Sequence, residues 1–201
     1  MQTEITIAKK STRGGRSLGE RLADRDPDAP GEMIEAYYPE LYAFTGAMLR
    51  DCVLAEDVVH DALVSALEAL GRYRKERIEN LALRAWLYRI TLNKTRDHFR
   101  RSSRRKELPL YEETCPTAEP EPDRARIMDA LNALARLSEK QRIAVTLRYL
   151  QDLPYAEIAL ATGWPENTAK TLVRRGMDSL RKSLAAAESS AGTAPKKETA
   201  T

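Results

Sequence analysis

The stretch from Leu153 to Leu180, LPYAEIALATGWPENTAKTLVRRGMDSL, constrains this chain more than any other. Its spacing predicts two short helices around a tight turn. Pro154 suits the first turn of a helix, where its missing N–H costs nothing. Ala159 and Gly163 stand four apart: a small residue where two helices cross, then a glycine that can take a left-handed turn. Pro165 opens the second helix. Ala169, Leu172 and Val173 follow at the spacing that faces them back onto Ile158. The other face carries Asn167, Lys170, Thr171, Arg174 and Asp178, with Thr168 and Arg175 beside them. This is the helix-turn-helix pattern, in which the second helix enters the DNA major groove. Lys170, Arg174 and Arg175 can hold phosphates or read guanine edges, and Asn167, Thr168 and Thr171 can reach phosphates or bases. An ordinary helical hairpin with a solvated face is the competing reading. The joint placement of small, glycine and apolar residues favours DNA.

The remainder must supply a fold around that hairpin. The chain has 201 residues, enough for one large or two small domains. Leu, Ala, Arg and Glu dominate, aromatics and Gly are sparse, and no strand signal stands out. An all-α protein is expected. The formal charge is only +3, so its distribution matters more than its sum. The two cysteines, Cys52 and Cys115, lie far apart and form no C-x-x-C pair. They imply neither a metal site nor a disulfide framework, in keeping with a reducing cytosol. The opening MQTEITIAKKSTRGGRS has no apolar core of a signal peptide, and no apolar run is long enough to span a membrane. A cytoplasmic protein without membrane contact is expected.

Taken in order, residues 1–30 read as a disordered polar tail, in which Lys9, Lys10, Arg13 and Arg16 could touch nucleic acid. Glu32–Leu49 is predicted as an amphipathic helix facing Ile34, Tyr38, Leu41, Thr45 and Met48 inward. Asp51 marks its exit. A second helix is expected over Ala55–Leu70, with Glu56 and Asp57 in its first turn and Val59, Leu63, Ala66, Leu67 and Leu70 as its stripe. Residues 71–80 form a charged connection. Asn80 is the expected N-cap of a helix over Leu81–Arg101, carried by Leu83, Trp86, Leu87, Ile90 and Leu92. Its end is dense in Arg100, Arg101, Arg104, Arg105 and Lys106. Residues 107–123, with four prolines and five glutamates, read as an extended acidic linker. Beyond it, Ile127, Leu131, Leu134 and Leu137 line a helix, and Ser138 with Gln141 forms a capping box that starts another. That helix carries Ile143, Val145, Leu147 and Leu150. The hairpin's second helix should run to about Ala186, and residues 187–201 read as a second disordered tail.

Catalysis finds no constellation. His60 and His98 are the only histidines, and neither has a nucleophile at a recognisable spacing. No Gly-rich phosphate loop is present. A non-enzyme without metal or cofactor is expected. Two basic surfaces remain. One is the helix-turn-helix. The other, Arg72 to Lys106, interleaves Tyr73, Trp86, Tyr88 and Phe99 with Arg and Lys. Cations neutralise phosphates and aromatic faces stack unpaired bases, so a single strand is the expected ligand there. Trp86 and Tyr88 read equally as core, and the core reading is favoured for Trp86.

Three blocks together make the chain resemble a bacterial sigma factor of the extracytoplasmic-function group of the sigma-70 family: AEDVVHDALVSAL (55–67), LRAWLYRITLNKTRDHFRR (83–101) and LARLSEKQRIAVTLRYLQDLPYAEIALATGWPENTAKTLVRRGMDSLR (134–181). The resemblance implies two small helical domains joined by the linker: region 2 over 31–106 and region 4 over 124–186. It implies that Asp57, His60 and Asp61 dock on the β′ clamp helices of core RNA polymerase. Arg74, Lys75, Asn80, Trp86, Asn93, Asp97, Arg100 and Arg101 would capture the melted −10 strand. Asn167, Thr168, Lys170, Thr171, Arg174 and Arg175 would read the duplex −35 element, with the β flap touching the same domain. An anti-sigma factor is a further implied partner, and the linker would run toward the RNA exit path. His60, Leu63 and Leu67 depart from the usual Gln, Phe and Trp, and Leu172 and Met177 stand where the family often has Arg. Two other readings compete: a stand-alone helix-turn-helix regulator, and a sigma-like mimic that sequesters an anti-sigma factor.

Overall fold

The structure, a computed structural model, describes residues 12–13, 15–105 and 129–191, with side chains over 15–101 and 129–183. The linker 107–123, the side chains of Arg104, Arg105 and Lys106, and Lys9 and Lys10 lie outside them.

Residues 12–13 and 15–28 are folded, where a disordered tail was expected. β1 (Thr12–Arg13) and β2 (Arg16–Ser17) pair antiparallel, with Gly15 at φ 78° in their turn. Ser17 then caps α1 (Leu18–Ala23): its Oγ accepts from the Glu20 amide at 3.3 Å, and its own amide donates to Glu20 Oε2 at 2.6 Å. Leu18, Leu22 and Ala23 are buried. Arg21 is only 4% exposed, because its guanidinium donates to Asp26 at 2.7 Å and to Glu32. The sequence carries these as a capping box and an i, i+4 apolar pair, too short to show a period.

α2 (Ala29–Leu49) and α3 (Cys52–Arg72) form a helical hairpin. The buried stripe of α2 is Met33, Tyr37, Leu41, Phe44, Thr45 and Met48. Ile34 and Tyr38, expected in the core, are only half-buried: the stripe is turned by one residue over the first two turns. α2 stops at Arg50, which takes a left-handed conformation. Asp51 is not merely an exit; its carboxylate accepts from the Leu54 amide at 2.9 Å and caps α3. α3 therefore starts at Cys52, and Glu56 and Asp57 fall beyond its first turn. Cys52 is disulfide-bonded, against the expectation of no disulfide. The chain's other cysteine, Cys115, lies outside the described residues.

The charged connection after α3 contains a helix, α4 (Lys75–Glu79), seated by the buried Ile78. Asn80 does not cap the next helix. Its side-chain amide donates back to the Glu76 carbonyl at 2.7 Å and closes α4. α5 (Leu83–Arg105) packs across α2 and α3 with Ala85, Leu87, Tyr88, Thr91, Leu92 and Thr95 buried.

The helical residues 129–135 (α6) lead to Ser138, which donates from Oγ and amide to Gln141 Oε1 at 3.0 and 3.3 Å, the expected capping box of α7 (Glu139–Val145). α7 widens into a π-helical turn, Thr146–Leu150, in which the Gln151 amide donates to the Thr146 carbonyl. The extra residue shifts the register, so Leu147 is buried while Tyr149 and Leu150 are exposed. Leu150 was expected in the core. α8 (Tyr155–Thr162) and α9 (Glu166–Ala191) complete the described residues, α9 running past the expected end near Ala186.

One apolar core runs through both halves. Leu41, Phe44, Val59, Leu63 and Leu92 are continuous with Ile143, Leu147, Leu153, Ile158 and Ala169. α5 lies directly on α8. Burying side chains such as Leu147, Leu153 and Ile158 contributes about 1.5–3 kcal/mol each, as an upper estimate. A smaller cluster of Leu134, Leu137 and Val145 joins α6, α7 and α9.

Candidate nucleic-acid interface

Gly163 ends α8 at φ 76°, its amide donating to the Ala159 carbonyl at 2.8 Å. Trp164 and Pro165 make the turn, and α9 starts at Glu166 with Val173 buried and Ala169 buried in one cluster with Ile158 and Ala161, while Leu172, expected inward with them, is only half-buried. This is the geometry expected of the hairpin. Gly176 carries a constraint that spacing alone did not reveal. A Cβ there would stand 2.6 Å from Val145 Cγ2, so only glycine lets α9 lie this close to α7.

The outer face of α9 carries the expected residues together. Asn167, Thr168, Lys170, Arg174 and Arg175 are exposed and Thr171 is half-buried. The Thr171 hydroxyl donates to the Asn167 carbonyl at 2.9 Å. Lys170 is held by Glu166 at 2.7 Å and lies 5.7 Å from the Tyr155 ring centre. Arg174 and Arg175, one turn further along α9, make no such ion pair among the described residues, since Asp178 on the same face bonds Arg181 instead.

The second surface is built on α4 and α5. The Tyr73 and Trp86 rings are 5.9 Å apart and tilted by 55°. The Arg77 guanidinium sits 3.7 Å above the Tyr73 ring. Both rings are half-buried, and Arg74, Lys75 and Asn80 in the connection that follows Tyr73 are exposed. Trp86 is thus neither core nor fully free. Tyr88 is core: its buried ring meets Phe44 edge-on at 5.5 Å. Arg77 was not singled out from the sequence: its place over the Tyr73 ring follows from the extended Tyr73–Arg74 break between α3 and α4, which no helical spacing signals. Farther along α5, Asn93, Asp97, Arg100 and Arg101 share one outward strip at i, i+4, i+7 and i+8. Asp97 bonds Arg100 within it.

The third group stands apart from both. Asp57, His60 and Asp61 are exposed on α3, with the buried face of Val59, Ala62, Leu63 and Ala66 opposite. His60 rests against the Tyr38 ring at 5.8 Å. Val53 and Val64, 64% and 56% exposed, flank the acidic residues on the same face. Sequence reading missed them, although Val53, Asp57, Asp61 and Val64 follow helical spacing. An acidic strip between exposed valines is suited to a partner that is basic and apolar.

A polar cluster joins the two halves beneath these surfaces. Arg84 donates to Glu40 at 2.9 Å and to the Gln151 carbonyl at 2.6 Å. The Tyr88 hydroxyl donates to Gln151 Oε1 at 2.9 Å. Burial, with Glu40 nearby, pushes the Tyr88 phenol far above its ordinary value. Burial also raises Glu157 on α8; Arg84 opposes that shift and Glu40 adds to it. Arg96 bonds Glu139 at 3.2 Å, and Arg50 bonds Asn132 at 2.7 Å. Among the described residues, no group of three His, Cys, Asp or Glu is placed to hold a metal ion, and no helix is long and apolar enough to cross a membrane.

Two family descriptions match the chain: sigma-70 region 2 over residues 33–105 and sigma-70, region 4 over residues 127–180. The chain is 28% identical over 185 residues to the RNA polymerase sigma-H factor of Pseudomonas aeruginosa, covering 84% of this chain and 93% of that protein. It is 25% identical over 173 residues to the ECF RNA polymerase sigma factor SigW of Bacillus subtilis, covering 79% and 90%. Its fold is similar to that of the sigma factor RpoE from Bartonella quintana, solved in complex with the anti-sigma factor NepR. That match has a TM-score of 0.66 at 24% identity and covers 78% of this chain and 97% of that one.

Proposed function

This chain belongs to the extracytoplasmic-function group of the sigma-70 family, and we propose that it recruits core RNA polymerase to a promoter and helps to open the DNA there. The observation that carries this reading is the presence of three chemically distinct faces on one docked scaffold. α9 offers cations and amides on a helix-turn-helix, suited to the duplex −35 element. Tyr73, Arg77 and Trp86, with Arg74, Lys75 and Asn80 beside them, offer ring faces and cations suited to an unpaired −10 base. Asn93, Asp97, Arg100 and Arg101 continue that strip along the strand. Asp57, His60 and Asp61 on α3, between Val53 and Val64, are the docking face for the polymerase β′ clamp.

Magnitudes explain why the third face is needed. Stacking one base on an aromatic ring contributes about 1–3 kcal/mol. Separating DNA costs about 1.4 kcal/mol per base-pair step. A single captured base therefore offsets one or two steps. Opening a longer stretch needs binding energy from elsewhere, which core polymerase supplies. A stand-alone regulator would use α9 and have no use for the α3 face. A mimic that only sequesters an anti-sigma factor would not need the cations of α9. The protein acts in the cytoplasm, and an anti-sigma factor is its expected inhibitor.

Gel filtration with core enzyme and run-off transcription test this directly. The full-length protein should co-elute with core polymerase and direct specific transcripts. Asp61→Arg should abolish both by reversing a docking charge. Co-elution of Asp61→Arg equal to the unaltered protein would refute the docking face. Duplex binding without any core-dependent transcript would favour the regulator.

A further inference from the structure

The segment before residue 33 precedes the region that matches the sigma-70 region 2 description, yet it bonds the chain around Tyr73 and Lys75. Arg25 is the residue at issue. It follows α1 in a left-handed conformation, φ 60°, one of three such non-glycine residues among those described. Its guanidinium reaches across to the far end of α3. There it donates to the Leu70 carbonyl at 2.7 Å, the Gly71 carbonyl at 3.2 Å and the Tyr73 carbonyl at 2.8 Å. The last carbonyls of a helix have no intrahelical partner, and the helix dipole gathers negative charge among them. A planar cation with several fixed donors satisfies three at once, which a lysine cannot do in the same geometry.

Where those carbonyls lie gives the contact its meaning. Tyr73 is the C-cap of α3 and carries the ring under Arg77 and beside Trp86. Its backbone is fixed by Arg25 on one side and by its own amide bonds to Ala69 and Leu70 on the other. The next residues are held from the same side. Lys75 opens α4 and bonds Asp24, the neighbour of Arg25, at 2.6 Å. α1 packs along α4. The chain between the helix that docks polymerase and the helix that follows the strand is thus anchored at Tyr73 and at Lys75, both times by residues 24–25.

We infer that Arg25, with Asp24 beside it, is a positioning residue for single-strand capture: it holds the Tyr73 backbone so that the Tyr73, Arg77 and Trp86 side chains form one stacking platform. Arg25 itself touches no base. The inference rests on the reading of that platform as the −10 capture site. A positioning role differs from general stability in one respect. Loss of Arg25 should weaken single-strand binding while leaving duplex binding through α9 intact.

The test uses the full chain with two probes, a fluorescein-labelled random single-stranded 12-mer pool and a labelled random duplex of the same length, read by anisotropy at fixed salt. Arg25→Met removes the donors while keeping the stem. It should weaken the single-strand probe about tenfold, the low end of the scale of one lost charged hydrogen bond, with duplex affinity unchanged. Arg25→Lys should fall between Met and the unaltered chain. Trp86→Ala is the control for the platform. If Trp86→Ala loses single-strand binding and Arg25→Met does not, the capture site stands and the positioning role is overturned. If Trp86→Ala binds the single strand as well as the unaltered chain, the capture reading itself fails and the inference falls with it. Should Arg25→Met lose its helical circular dichroism, Arg25→Lys and Asp24→Asn decide. A single-strand loss with unchanged duplex binding supports the role, and equal losses on both probes overturn it.

Discussion

Removing the Tyr88 hydroxyl tests whether the two halves are locked together as described. Tyr88 is fully buried, and its hydroxyl donates to Gln151 Oε1 at 2.9 Å across the α5–π-turn junction. Gln151 is itself only 6% exposed. Tyr88→Phe keeps the ring and its edge-on contact with Phe44, so packing is conserved and the hydrogen bond is isolated. The net loss of one buried neutral bond is about 0.5–1.5 kcal/mol; leaving Gln151 Oε1 dry brings the cost to about 1–3 kcal/mol. Replacing both partners should cost less than that, because no buried acceptor is stranded. Tyr88→Phe/Gln151→Leu is therefore expected to recover a large part of the loss. The Gln151 backbone carbonyl still accepts from Arg84 in the double variant, which keeps the other half of the junction in place. Urea unfolding of the four proteins gives the cycle. A Tyr88→Phe stability within about 0.5 kcal/mol of the unaltered chain would refute the buried bond, since that is the additivity error of such cycles. A double variant less stable than the sum of the singles would refute the argument from the stranded acceptor.

Lys170→Ala/Arg174→Ala should weaken duplex binding and lower the slope of log K against log salt by about 1.8, at roughly 0.9 per lost phosphate contact. Anisotropy over a salt series reads it, and an unchanged slope would remove those two side chains from the DNA face. Glu157 has its folded pKa raised above the ordinary 4.5 by burial, so the folded state holds its proton more tightly than the unfolded chain. Its contribution to stability is present below pH 4.5 and is lost as pH rises through the raised value. Glu157→Gln should flatten that part of the stability profile, measured by urea midpoints from pH 4 upward. Gly176→Ala should destabilise the chain by about 1–3 kcal/mol through the clash with Val145, less up to about 1 kcal/mol of gained helix propensity. A thermal midpoint above that of the unaltered chain would contradict the close approach of α9 to α7.

What could be read in the sequence was what repeats with a helical period. The hairpin of α8 and α9 was legible because Ala159, Gly163, Ala169 and Val173 sit at spacings few other structures require. The Ser138–Gln141 capping box was legible for the same reason. The N-terminal element was not. α1 has six residues, too few for a period, and its stability comes from Arg21, Asp26 and Glu32 and from packing on α4, which are tertiary facts. α4 was hidden likewise, since Ile78 alone marks its inner face. Asn80 looks like a cap of α5 but closes α4, and Asp51, just past the end of α2, also caps α3, because cap residues look alike on either side of a break. The one-residue turn of the α2 stripe and the exposure of Leu150 follow from the choice of neighbours and from the π-helical turn. The docking of α5 on α8 was invisible to any local reading. It joins residues more than sixty positions apart through Arg84, Tyr88 and Gln151.

Permanganate probing of a promoter identified by run-off mapping tests the central claim most directly, since permanganate reacts with thymines only where strands are parted. Core polymerase with the full-length chain should make thymines of the −10 element reactive, and neither component alone should do so. Trp86→Ala should reduce that reactivity without loss of core binding. Reactive thymines with core enzyme alone, or none with both present, would contradict the account of this chain as a factor that opens promoter DNA.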